Sequence, residues 1–267
     1  MKGILIRVFA AIAYVAMIVV NYLANSLPIN NLSTGAISDS YPNLFAPAGL
    51  TFSIWGLIYL LLGIYLVYQF VSLGKKSSKK KESFLNKLNI LFIATSVANI
   101  SWIFAWHYDL IGLSVLIMAA LLILLIRIAD TLRVEKMKTV ETLLISVPFS
   151  IYFGWITVAA IANITVFLVS INWNGFGIAE FIWTIMILLV GALIGILRMN
   201  KDRSIAYGLV LIWAYLGILL KHLSADGFGG QYPSIIVTLI ICLALFGFFV
   251  GRVVYVKISM AKPKRLS

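Results

Sequence analysis

Residues 97–106 read VANISWIFAW. They lie inside an apolar run, 85–106, that is long enough to cross a membrane, yet they hold an asparagine and two tryptophans. A spanning helix needs about 20 apolar residues at 1.5 Å rise each. On such a helix Asn99, Trp102 and Trp106 are spaced i, i+3, i+7 and share one face, which Thr95 extends by a turn. Unbroken apolar character reads as helix, because barrel strands would alternate over about 10 residues. A polar and aromatic stripe at membrane depth needs something to face, since an unpaired polar group in an apolar medium is costly.

The same reading extends to the whole chain. Of its 267 residues 62% are hydrophobic and 11% charged, and the mean hydropathy is +1.05. This excludes an ordinary soluble domain. Apolar runs occur at 4–24, 50–73, 85–106, 110–128, 143–168, 176–198, 204–221 and 233–256, predicting an all-α polytopic bundle of eight transmembrane helices. With a cytoplasmic N-terminus, 20 of the 21 Lys and Arg fall on the cytoplasmic side and Lys221 alone on the other. The positive-inside rule then places both termini in the cytoplasm. The net charge of +12 is therefore a topology signal with attraction to anionic lipid as a by-product, and no nucleic-acid partner is expected. The first helix follows Lys2 and Arg7 like a signal peptide, but its long apolar run predicts a retained span. The lone Cys242 forms no internal disulfide and reads as a small core residue.

The loop between spans 1 and 2, ANSLPINNLSTGAISDSYPNLFAPAG, is long, carries Pro28, Pro42 and Pro47, and lacks Lys and Arg. Loops of that length cover something or are disordered. Tyr41 and Phe45 give this one apolar material for a lid. The lysine-rich GKKSSKKKES between spans 2 and 3 reads as a solvated topology anchor.

Other spans carry one-face patterns too. Phe52, Trp55, Tyr59 and Gly63 lie on one face of span 2; Pro148, Tyr152, Trp155, Ala159 and Asn163 on one face of span 5; and Tyr14, Asn21 and Asn25 on one face of span 1. In the inferred topology Asn21, Trp55, Asn99, Trp102 and Asn163 fall in the outer half of the bilayer, with Tyr59 and Trp155 nearer its middle. Two physical readings compete. Trp and Tyr form interfacial belts, the simplest account of Trp106 and Trp173 at helix ends, and Asn bridges helices. Alternatively, apolar walls with a few convergent polar groups make a small-molecule site.

These residues resemble the TspO/MBR family, the tryptophan-rich sensory or translocator proteins. Trp55, Tyr59 and Gly63 match its W-x-x-x-Y-x-x-x-G second helix. Asn99 and Trp102 match its N-x-x-W third helix, and Tyr152, Trp155, Ala159 and Asn163 match its fifth. The resemblance covers about residues 5–170, with Ile151 where the family has proline before the tyrosine. It implies a five-helix membrane bundle over 1–170, followed by an additional three-helix extension over 171–267. It also implies binding of a flat hydrophobic ligand, a tetrapyrrole such as a porphyrin or a sterol- or isoprenoid-like molecule, in a pocket among helices 1, 2, 3 and 5. The residues it implies are Trp55, Tyr59, Asn99, Trp102, Tyr152, Trp155, Ala159 and Asn163, and the converging stripes add Asn21 and Phe52 to the expected pocket. Sensor, carrier and scavenger are the three forms such binding takes.

An uncoupled transporter of a small hydrophobic molecule is the alternative: spans 1–5 hold no ionisable residue at their centres, which argues against ion coupling. An enzyme is not expected, a porphyrin-modifying activity being the lesser alternative that the resemblance implies. His107 and His222 lie at helix ends and read as solvated, and no catalytic or metal motif is present. The expected partners are the bilayer of a bacterial-type plasma membrane and the ligand itself, with no resident cofactor and no metal. Gly191 and Gly195 form a G-x-x-x-G pair that serves either a homodimer face or packing within the chain.

Overall fold

The computed structural model describes residues 2–26, 29–71 and 78–261. Pro28, Lys75, Lys76, Lys262, Lys264 and Arg265, which entered the loop and charge readings, lie outside the described residues. The long helices are α1 (Lys2–Ser26), α3 (Ile54–Val71), α4 (Lys79–His107), α5 (Ile111–Val134), α7 (Val147–Ser170), α8 (Glu180–Asp202), α9 (Ile205–Leu223) and α10 (Pro233–Ala261). A short α2 (Thr34–Asp39) lies in the first loop, and a single turn α6 (Thr139–Glu141) leads into α7. No strand occurs among the described residues. Eight helical segments are long and apolar enough to cross a membrane, so the chain is an all-α, multi-pass membrane protein.

The helix ends follow local chemistry. Ser78 caps α4, its hydroxyl accepting from the Lys81 N–H at 3.3 Å, and Glu82 sits in the positive first turn. α4 stops at Asp109, whose φ of 60° lets Leu110 N–H reach back to the Ala105 carbonyl at 2.8 Å. Aspartate is one of the few side chains that tolerate this left-handed geometry. Asn172 does the same after α7. Ahead of α7 the backbone widens into a π-helical turn, Thr142–Ser146, with Val147 N–H donating to the Thr142 carbonyl. Pro148, which has no N–H to give, follows at once, and the wider turn absorbs that loss.

The chain forms two compact units, Met1–Asn43 with Phe52–Trp173, and Leu44–Thr51 with Asn174–Ser267. In the first, α1 packs on α4, α4 on α5, α5 on α7, α7 on α3, and α3 back on α1, closing a ring of five helices. Its interior towards the α4 N-terminal end is plugged by Tyr65, Phe92 and Phe149, whose rings meet edge-on with centroids 4.9–5.9 Å apart. In the second unit α8, α9 and α10 pack on one another. Gly191 and Gly195 lie on the buried face of α8. A Cβ on Gly195 would stand 2.5 Å from Leu211 Cδ1, so this glycine serves close approach of α9 within the chain.

The second unit also holds the end of the first loop. Leu44 N–H donates to Glu180 Oε1 at 3.1 Å, and the Leu44 carbonyl accepts from His222 Nε2 at 2.9 Å. Ala48 N–H reaches the Gly217 carbonyl, and Trp213 Nε1 donates to the Thr51 carbonyl. Leu44, Phe45 and Ala46 are buried. His222 is buried as well, between Phe228 and Tyr232, contrary to the solvated role expected for a histidine at a loop edge: a backbone carbonyl and two rings replace its water.

Candidate functional site

Inside the five-helix ring the one-face stripes meet. Trp55 of α3 stacks on Tyr59 at 5.5 Å and turns its edge to Tyr152 and Trp155 of α7, at 6.0 and 6.2 Å. Phe52 closes on Trp155 at 5.8 Å. Edge-to-face and offset contacts at these distances are the arrangements that ring quadrupoles favour. Ala159 lies one turn beyond Trp155 on the same helix face and is half-buried.

Gly63, the last member of the α3 motif, has a steric reason. A Cβ there would stand 2.5 Å from the Tyr14 hydroxyl of α1. That hydroxyl donates to the Tyr59 carbonyl at 2.8 Å, so glycine permits a close α1–α3 contact.

The two asparagine pairs behave differently. Asn21 Nδ2 donates to the Met17 carbonyl at 2.9 Å and to Asn99 Oδ1 at 2.7 Å. The first bond fixes the Asn21 nitrogen; Asn99 must then offer its oxygen, leaving its own nitrogen over. That Asn99 Nδ2 is buried without a partner, beside the Tyr152 hydroxyl. Asn163, by contrast, is fully used. Trp102 Nε1, a donor only, gives to Asn163 Oδ1 at 2.9 Å, and Asn163 Nδ2 gives to Ser114 Oγ at 2.9 Å. Trp102 also stacks on Trp106 at 5.5 Å. α4, α5 and α7 are thereby tied together at Asn163, about two turns beyond Trp155 along α7. Ser114 was not singled out from sequence; its only signal is a lone hydroxyl in the IGLSVLIM run.

Four buried polar atoms around the rings make no hydrogen bond outside their own group: Tyr59 Oη, Asn99 Nδ2, Tyr152 Oη and Trp155 Nε1, with Asn99 and Tyr152 placed to interact with each other. Each carries a proton to donate. Tyr59 and Tyr152 are near enough for their hydroxyls to interact electrostatically. Unmade bonds at buried groups cost about 1–3 kcal/mol each, so four in one place is unusual for a finished core.

A roof lies over this end of the ring. His107, 2% exposed, meets Thr34 Oγ1 through Nε2 at 3.1 Å and the Ile29 carbonyl through Nδ1 at 3.0 Å. Trp106 Nε1 donates to the Thr34 carbonyl at 3.1 Å, and Asn30 Nδ2 to the His107 carbonyl at 3.0 Å. The expectation of a belt tryptophan and a solvated histidine is thus corrected, because the loop folds down and buries both. α2 forms because Ser33 caps it, accepting from Ala36 N–H at 3.2 Å. Tyr41 donates to the Asp109 carboxylate. That bond, with burial and the negative charge adding to it, pushes the phenol up to about 12.

Against this geometry, a family model for TSPO-like proteins matches residues 7–252. The chain belongs to the TSPO-like family. The match runs past residue 170, where the helix motifs stop, and takes in α8, α9 and α10 as far as Arg252. No curated protein and no solved structure matches the chain.

Proposed function

We propose that this TSPO-like membrane protein binds a flat, largely apolar molecule inside its five-helix ring, as a sensor, carrier or scavenger of that molecule. The observation that carries the reading is the set of four buried donors with no hydrogen bond outside their own group, Tyr59, Asn99, Tyr152 and Trp155, gathered at the faces and edges of a tryptophan–tyrosine cluster. Aromatic faces stack on a flat ligand. Two N–H donors, and two phenols that donate as well as accept, suit a ligand edge rich in oxygen acceptors, such as the carboxylates of a porphyrin; a sterol or isoprenoid alcohol supplies fewer. Phe52 and Ala159 line the same side. Asn21, Trp102 and Asn163 hold the helices that present the site. In the positive-inside orientation the ligand lies in the outer half of the membrane beneath the α2 loop.

The test is tryptophan-fluorescence quenching of the detergent-purified chain by protoporphyrin IX, with cholesterol and a carotenoid as comparison ligands. Saturable quenching by the porphyrin is expected, weakened roughly 5- to 30-fold in Tyr152→Phe and Asn99→Leu, as loss of about 1–2 kcal/mol implies. Non-saturable quenching with every ligand, or identical affinity in both variants, overturns the reading.

A further inference from the structure

A second site is built on the outside of the same ring, at its opposite end. Arg7, in the second turn of α1, is only 7% exposed. Its Nη1 donates to the Gln69 carbonyl at 3.2 Å, one of the last carbonyls of α3 and so without a helical partner. Its Nε is buried and unpartnered. No carboxylate among the described residues forms an ion pair with Arg7; the Glu82 carboxylate lies against Gly3, one turn earlier on α1. A guanidinium buried without an anion is costly, and its planar donor fork fits phosphate.

One helical turn along α1 from Arg7 an apolar groove of ≈ 790 Å³ begins. Ala11, Tyr14 and Val15 of α1 form one wall and α3 from Leu60 to Val71 the other, with Leu144 of the π-helical turn also on its lining. Tyr14 lies against Gly63 midway along it and narrows the groove there without closing its outer side. From Leu60 to Val71 the groove follows α3 for about 16 Å at 1.5 Å per residue. One leaflet of a hydrocarbon core about 30 Å thick is about 15 Å deep. The Val71 end is the Arg7 end, as the bond to Gln69 requires, and exposed Lys79 and Lys80 open α4 nearby in sequence. An apolar channel one leaflet long, with an unpaired cation at the headgroup end, matches a single class of molecule.

We propose that the α1–α3 groove holds one acyl chain of an anionic phospholipid whose phosphate is taken by Arg7. The site is separate from the interior one and does not rest on the ligand reading above. Its charge complementarity requires an anionic lipid, and its depth requires a chain, so inorganic phosphate alone does not satisfy it.

The experiment is native mass spectrometry of the full chain released from nanodiscs made of equal parts phosphatidylglycerol and phosphatidylcholine. The wild type is expected to retain one phosphatidylglycerol in preference to phosphatidylcholine. Arg7→Gln should lower that retention roughly tenfold or more, the loss of a hydrogen bond to a charged group. Because Arg7→Gln also removes the tie to α3, Ile64→Trp is the companion: it fills the groove from a lipid-facing position and leaves Arg7 intact, and it should lower retention equally in a chain with wild-type melting. Equal retention of the two lipids, wild-type retention in Ile64→Trp, or displacement of the lipid by inorganic phosphate refutes the proposal.

Discussion

Asn99 and Asn163 are the same residue on two helices of the ring, and their neighbours give them different work. Every polar atom of the Asn163 side chain is engaged by Trp102 and Ser114, whereas the Asn99 nitrogen is left over. Two mutations should separate them. Trp102→Phe keeps a ring but deletes the indole N–H; it is expected to lower stability by about 0.5–1.5 kcal/mol with porphyrin affinity unchanged. Asn99→Leu should weaken binding with a smaller effect on melting, because Asn21 keeps its bond to Met17. Thermal melting and quenching on one preparation of each variant check both. The sequence made the faces legible, since i, i+3, i+7 spacing places side chains whatever they touch. It did not separate linking residues from ligand-facing ones. That difference is made by Ser114, on a helix that carries no motif.

Among the elements, the α2 loop was readable as a lid from its length and its tyrosine, but its fastening was not, and Phe45, expected to pack down with Tyr41, belongs to the second unit instead. His107 and Trp106 end α4, and a helix end ordinarily faces water or headgroups. Only the capped α2 above them turns that end into an interior. His107→Leu removes the bonds to Thr34 and Ile29 and should cost about 1–3 kcal/mol of local stability, seen as faster amide hydrogen exchange over residues 34–41. The Tyr41–Asp109 tie carries a pH signature. Its phenol rises from an ordinary 10 to about 12, so the folded state favours the protonated, donating form. The tie is complete below pH 10 and is lost as the pH climbs through 12. Buried tyrosines elsewhere ionise late as well, so the comparison is by difference: tyrosinate absorbance should lose one phenol titrating near 12 in Tyr41→Phe relative to the wild type, and identical curves at that pH would contradict the tie.

For the molecule as a whole, the eight spans were legible because bilayer thickness sets the length of an apolar run. The ring closure was not, because a stripe says that a face is buried but not which helix buries it. Orientation is the testable part. Cysteine placed at Ser40 should be modified by an impermeant reagent from outside the cell, and cysteine at Lys80 should not; Cys242 is buried and gives little background. Modification at Lys80 from outside would reverse the orientation.

The partners of the LFAPAG strip, residues 44–49, are made late. Glu180 follows Leu44 by 136 residues and His222 by 178. At the usual synthesis rates of about 5–20 residues per second, Leu44 waits roughly 7–30 s for Glu180 and longer for His222. The ring helices can all be in place while this strip is still unclaimed. Nascent chains halted after Ser170 would therefore carry this segment without its partners, and completing the last three helices would retire it.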